Sequence, residues 1–277
     1  MSTASTAKET PLSGACTKDC WTAVKHTGTP AGSFEKIGGL DTYISLPPAD
    51  SKYAHAQGGG EGGVVYERVL LWFPDVFSST FLNNKLVMDW FASRGYLVLG
   101  PDYFLGDPIY LHRGVDPNFD GSTWIPNKRK LADSLVPPWI EAVKAKYGTE
   151  KTKWVCSGYC FGAPDVLKLL AEDWVTAGAF AHPAMVTEEM FQGVKKPLLL
   201  CCSEIDHTFS AAARHKAEEI LVDPKYAPKP EYYLQLYGGV AHGWSLRGDP
   251  TIERERWSKD ECARSMDAWF DRFCSLT

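Results

Sequence analysis

A five-residue stretch, Gly158-Tyr159-Cys160-Phe161-Gly162, restricts the possible folds of this chain more than anything else in it. It follows the apolar run Trp154-Val155-Cys156 and precedes a helical pattern that begins at Ala163. A strand that turns abruptly into a helix through G-x-S-x-G is a nucleophile elbow, and here sulfur stands in place of the usual hydroxyl. The glycines have a steric task, because the turn brings neighbouring backbone too close for side chains. The pentapeptide alone would be a weak signal. The strand before it and the helix after it strengthen the reading.

The rest of the chain supplies a matching frame. Apolar runs predict strands over 40–46, 64–73, 96–100, 152–156, 177–181, 198–202 and 232–236. Helical periodicity covers 80–94, 130–147, 163–173, 209–221 and 252–273, with a kink expected at Pro137-Pro138. Short buried strands alternating with helices predict an α/β fold. Its central sheet should be mostly parallel, with helices on both faces. One domain over 1–277 accounts for the pattern, with an irregular arm over 1–33. The glycine-rich stretch 58–63 lacks the G-K-[ST] ending of a phosphate loop and is expected at a hairpin tip or surface excursion. Residues 103–128 form a long loop of aromatic and charged residues, a candidate wall for an active site.

In such sheets the loops at the carboxyl ends of the strands build the site. Three of these loops carry Cys160, Asp206 and His242, in that order. Nucleophile, acid, then histidine is the chain order of an α/β-hydrolase. Cys160 would attack a carbonyl, His242 would carry the proton, and Asp206 would orient the imidazole and stabilise its cation. The backbone N–H groups of Phe161 and Val76 are the expected oxyanion donors. Each residue also has a plainer reading. Asp206 could cap the helix that follows it, and Cys160 could be a core thiol like Cys156, Cys201 and Cys202. His207 and His182 are rival histidines. His207 adjoins the acid too closely to lie between acid and nucleophile. His182 and Tyr159 are expected to line the pocket.

Composition excludes several classes. A net charge of −5 without a basic stripe gives no support to nucleic-acid binding. No apolar run is long enough to span a membrane, and no signal-peptide core is evident, so the cytosol is the expected compartment. The eight cysteines are expected to be reduced thiols. Cys16-x-x-x-Cys20 with His26 could be half of a zinc site, but no second ligand pair has suitable spacing, so no metal is expected.

The stretches Gly158–Gly162, Glu204-Ile205-Asp206-His207 and Ala241-His242-Gly243-Trp244-Ser245-Leu246-Arg247-Gly248-Asp249 resemble the dienelactone hydrolases, most closely their fungal branch. So do His26-Thr27-Gly28-Thr29-Pro30 and Ala181-His182-Pro183, so the resemblance covers nearly the whole chain. It implies a cysteine hydrolase of small esters and lactones that uses no metal or organic cofactor. It also implies that Asp75 pairs with Cys160 or helps deprotonate it when substrate binds. Arg247 is implied as one of two arginines that hold a substrate carboxylate. Leu105 stands where the second would be expected, and Arg113 could compensate. Trp244 and Trp124 could wall the pocket or pack in the core. The expected partner is a small-molecule ester or lactone, and the expected state is a monomer or weak homodimer. An acyl-transfer or thioester-cleaving enzyme with the same triad is an alternative, as is a binding protein on a hydrolase scaffold.

Overall fold

The computed structural model describes residues 9–16, 18–21, 23–56, 64–226 and 229–276. The glycine-rich stretch 58–63 therefore lies outside the described residues. In chain order the strands are β1 (Ser33–Ile37), β2 (Leu40–Ser45), β3 (Ala54–Ala56), β4 (Val64–Tyr66) and β5 (Arg68–Phe73). They continue as β6 (Leu97–Pro101), β7 (Lys153–Tyr159), β8 (Ala177–Ala181), β9 (Leu198–Ile205) and β10 (Tyr232–Ala241). The α-helices are α1 (Leu82–Ser93), α2 (Gly121–Tyr147), α3 (Ala163–Leu170), α4 (Glu188–Gln192), α5 (Ala211–Val222), α6 (Trp244–Arg247) and α7 (Glu253–Cys274).

An eight-stranded sheet runs in the order β1-β2-β6-β5-β7-β8-β9-β10. From β6 to β10 every pairing is parallel, whereas β2 lies antiparallel to β6 and β1 antiparallel to β2. This is the α/β-hydrolase arrangement. The central strands are apolar along their length because both faces are covered. Phe73, Val166 and Phe180 belong to the core beneath α2 and α3. Trp72, Met88, Phe91, Met266 and Phe270 form the core beneath α1 and α7.

Three expectations are corrected. The run 64–73 is two strands, because β4 pairs with β3 in a separate ribbon while β5 enters the main sheet. Glu67 makes the break: its N–H donates to the Tyr53 carbonyl and its own carbonyl accepts from Lys153. The long loop ends at Asp120 rather than 128, since α2 begins at Gly121. Asp120 starts that helix by accepting from the Ser122 N–H at 2.9 Å and from the Ser122 and Thr123 hydroxyls. The helix then runs through Pro126, Pro137 and Pro138. Burial of Val136, Trp139 and Val143 offsets the missing donors. The arm ends in structure of its own, with a 3₁₀ turn over Lys18–Trp21 and β1 starting at Ser33. Among the described residues no helix is long and apolar enough to cross a membrane.

Candidate active site

β7 ends at Tyr159, and the chain reverses through Cys160-Phe161-Gly162 into α3. Cys160 sits at φ +50°, a left-handed conformation that a side chain other than glycine tolerates only under strain. The flanking glycines are required sterically. A Cβ on Gly158 would stand 2.5 Å from the Gly162 carbonyl oxygen, and one on Gly162 would stand 2.2 Å from that of Phe73. The turn is braced from outside by Arg129. Its guanidinium forks onto Asp165 at 2.8 and 2.9 Å and donates to the Phe161 carbonyl at 3.0 Å. Sequence reasoning missed Arg129, since nothing local links it to a turn more than thirty residues away.

Asp206 follows β9 and His242 follows β10, strands that pair in parallel. His242 Nδ1 lies 3.0 Å from Asp206 Oδ1. Asp206 also accepts from the Thr208 and Phe209 N–H groups and from the hydroxyls of Ser203 and Thr208. Burial works against its charge, but His242 and these donors hold the carboxyl well below the usual range. Burial likewise works against a charged His242. Asp206 and then Cys20 overcome it and raise the imidazole to about 9. Its Nε2 is buried and has no hydrogen-bond partner among the described residues.

Phe73 and Gly158 are paired across β5 and β7, so the loops carrying Val76 and Phe161 leave the sheet side by side. Asp75, in the first of these loops, is fully buried. Its Oδ1 accepts from the Phe77 N–H at 3.1 Å and from Asn84 at 3.2 Å, and its Oδ2 faces Arg247 Nε at 2.8 Å. Burial raises its carboxyl despite the guanidinium beside it. Arg247 is itself buried, sits on Phe77, and donates to the Cys20 carbonyl. It is thus engaged with Asp75 and the arm, where the resemblance implied a free hand for a carboxylate.

The arm is the feature sequence reasoning least anticipated. Leu12 and Ser13 donate to the Val186 carbonyl, and Gly14 donates to that of Thr208 at 2.7 Å. Farther along, Asn83 holds both the Val24 carbonyl and the His26 N–H. His26 contacts the Gly248 carbonyl at 2.8 Å and plays no part with the arm cysteines. Between these anchors the arm lays Cys16 and Cys20 over Cys160. The Sγ atoms of Cys16 and Cys160 are 3.5 Å apart, and Cys160 is fully buried. Burial, then Cys16 and Cys20, push the Cys160 thiol well above its ordinary value. Hydrogen bonds from Cys16 and Cys160 pull Cys20 the other way, and His207 and His242 add to that pull. Because Cys20 interacts with both Cys160 and His242, thiol and imidazole share one buried spot.

The remaining candidates divide. Trp124 stacks on Phe104 at 5.5 Å, and Phe104 contacts Phe161 at 5.1 Å, so this aromatic wall does reach the elbow. His182, at φ +37°, packs its ring 4.9 Å from that of His242 and contacts Ser245 Oγ. Burial, with His242 and Arg247 nearby, keeps it neutral. Tyr159 faces the opposite core, against Trp72 and with its hydroxyl on Met266, because successive strand residues alternate between faces. Trp244 is 2 % exposed and packs on Tyr237, and it also lines the cavity at His242, so both of its readings find a contact. Leu105, at φ +55°, is exposed, and Arg113 stands over the Trp21 ring of the arm. A cavity of about 310 Å³ opens at His242 and Arg247 beside Ala23 and Val24; Cys160 does not line it.

Known proteins match this arrangement. The chain is 36% identical over 251 residues to dienlactone hydrolase 1 of Gibberella moniliformis, covering 89% of each. It is 23% identical to the human carboxymethylenebutenolidase homolog over 87% of this chain and 91% of that one. The crystal structure of dienelactone hydrolase from Anabaena variabilis shares its fold with a TM-score of 0.58 at 15% identity, over 90% of this chain and 99% of that one. A model of the dienelactone hydrolase family matches residues 61–274, and with the fungal relative this shows that the chain belongs to that family of ester and lactone hydrolases.

Proposed function

We propose that this hydrolase cleaves small esters or lactones through a thioester on Cys160. The observation that carries the reading is the strained cysteine at a glycine-bounded turn, with the Asp206–His242 pair in the same buried spot. The Cys160 sulfur adds to the substrate carbonyl carbon and the thiol proton passes to His242. The resulting oxyanion accepts from the N–H groups of Phe161 and Val76. Collapse breaks the C–O bond, and His242 returns its proton to the leaving alkoxide. In a lactone that alkoxide stays attached to the acyl group. Water then attacks the thioester, giving a proton to His242, and the Cys160 sulfur departs and regains it. Asp75 and Arg247 supply a second element. A substrate carboxylate that takes Arg247 displaces Asp75, whose burial-raised carboxyl is suited to relay the thiol proton to His242. All eight cysteines are buried and unlinked, which supports a reducing compartment such as the cytosol.

Acid quenching during turnover of an activated aryl ester, followed by peptide mass analysis, tests the reading. The acyl group should be found on the peptide containing Cys160, and it should disappear once substrate is exhausted. Acyl groups confined to other residues would remove Cys160 from the chemistry. A stable acyl-Cys160 that only a thiol or alcohol discharges would make the protein an acyl transferase.

The raised His242 gives a pH prediction. His242 must be neutral to take a proton, so kcat/KM should rise with pH through its ionisation at about 9. Cys20 is one of the groups holding it there. Cys20→Ser removes a sulfur that favours the charged imidazole, so the imidazole should lose its proton more readily and the rising limb should move to lower pH. A limb that stays in place in that variant would separate Cys20 from His242.

A further inference from the structure

We propose that Cys16, Cys20 and Cys160, with an imidazole as fourth donor, form a site for a thiophilic divalent cation of the zinc class, closed when the arm lies over the elbow. The three Sγ atoms all lie within 4.8 Å of one another, although the arm and the elbow are separated by 144 residues of chain. Two thiolates on one tetrahedral zinc, each about 2.3 Å from the metal, stand about 3.8 Å apart. The 3.5 Å between Cys16 and Cys160 is near that spacing and well short of the covalent contact, about 2.05 Å, that a disulfide needs. A nitrogen is also at hand. His207 Nε2 lies 3.3 Å from Cys20 Sγ. A disulfide would use two of these groups and leave the others buried without purpose. A four-coordinate soft cation uses three sulfurs and a nitrogen, the donor set of a structural zinc site.

No local spacing reveals the site, because its ligands come from the arm and from the loops after β7 and β9. Its consequence depends on the reading of Cys160 as nucleophile. A thiolate bound to the metal cannot attack a carbonyl, so the cation would lock the arm down and silence the hydrolase rather than serve its chemistry.

The test uses full-length protein stripped with a chelator under reducing conditions, and cobalt and zinc as probes. One equivalent of Co²⁺ should produce the intense near-ultraviolet thiolate-to-cobalt absorption and the visible bands of a tetrahedral centre. Zn²⁺ should displace it one for one. Turnover of an activated ester should fall as zinc is added and return with chelator. Cys16→Ser should remain an active esterase without metal, weaken cobalt binding at least a hundredfold, and lose no further turnover on addition of stoichiometric zinc. Absence of the thiolate–cobalt band overturns the proposal. So does equal affinity in wild type, Cys16→Ser and Cys20→Ala, or a Cys16–Cys160 disulfide found by mass analysis in place of metal binding. If the band forms, depends on Cys16, and turnover persists with the site filled, the metal site stands and the assignment of Cys160 as nucleophile fails.

Discussion

Cys160→Ala should lower kcat/KM for an activated ester by at least about a thousandfold, roughly 4 kcal/mol of transition-state stabilisation. The fold should survive. The flanking glycines and the Arg129–Asp165 brace, not the thiol, hold the turn, and alanine at φ +50° carries the same backbone strain as cysteine. His242→Ala should be comparably impaired, because members of one catalytic unit do not contribute additively. Cys160→Ser should recover little, since a hydroxyl is far less acidic than a thiol in the same apolar setting. Steady-state kinetics with a parallel melting curve decides the matter. Substantial turnover in folded Cys160→Ala would end the thioester mechanism, and a dead His182→Ala beside an active His242→Ala would reassign the base.

Arg247→Ala should be the most destabilising substitution in the site. Asp75 and Arg247 are almost fully withdrawn from solvent and face each other at 2.8 Å. Removing one member of such a pair leaves the other buried and uncompensated, which costs about 3–5 kcal/mol. In a chain of this size that is a fall in melting temperature of roughly 10 °C. The charge on Asp75 is the cause, so a neutral partner should relieve it. The side-chain oxygen left by Asp75→Asn can still accept from the Phe77 N–H, and in that background Arg247→Ala should cost markedly less. Denaturant melts of the four proteins in this cycle measure the coupling. Equal costs in both backgrounds would show that Arg247 stabilises through packing on Phe77 and its bond to the arm alone.

The parts of the candidate site legible in the sequence were those in which each strand carries its own candidate residue. Cys160 announces itself because the turn needs glycine on both sides, Asp206 because it follows the buried apolar run of β9, and His242 because it directly follows β10, whose Tyr and Leu residues read as a strand. What escaped depends on contacts between distant segments. Neither the docking of Cys16 against Cys160 nor the reach of Arg129 to Phe161 leaves a local mark. The start of α2 was hidden differently: Gly121 and Pro126 read as loop, while the single Asp120 cap outweighed them. The antiparallel pairing of β1 and β2 at the sheet edge was missed because only β2 is apolar enough to register as a strand.

The arm over Cys160 makes the protein its own competitor. Any molecule that reaches the thiol must first displace Cys16 and Cys20, and the displaced segment remains attached nearby at a high effective concentration. Dilution cannot release such a blocker as it releases a soluble inhibitor. A substrate that binds only the uncovered form has its apparent affinity divided by the fraction of molecules uncovered. On the role proposed for Cys160, KM measures the hold of the arm as well as the fit of the pocket, and two relatives that share that chemistry but carry different arms would differ in KM while sharing the same chemical step.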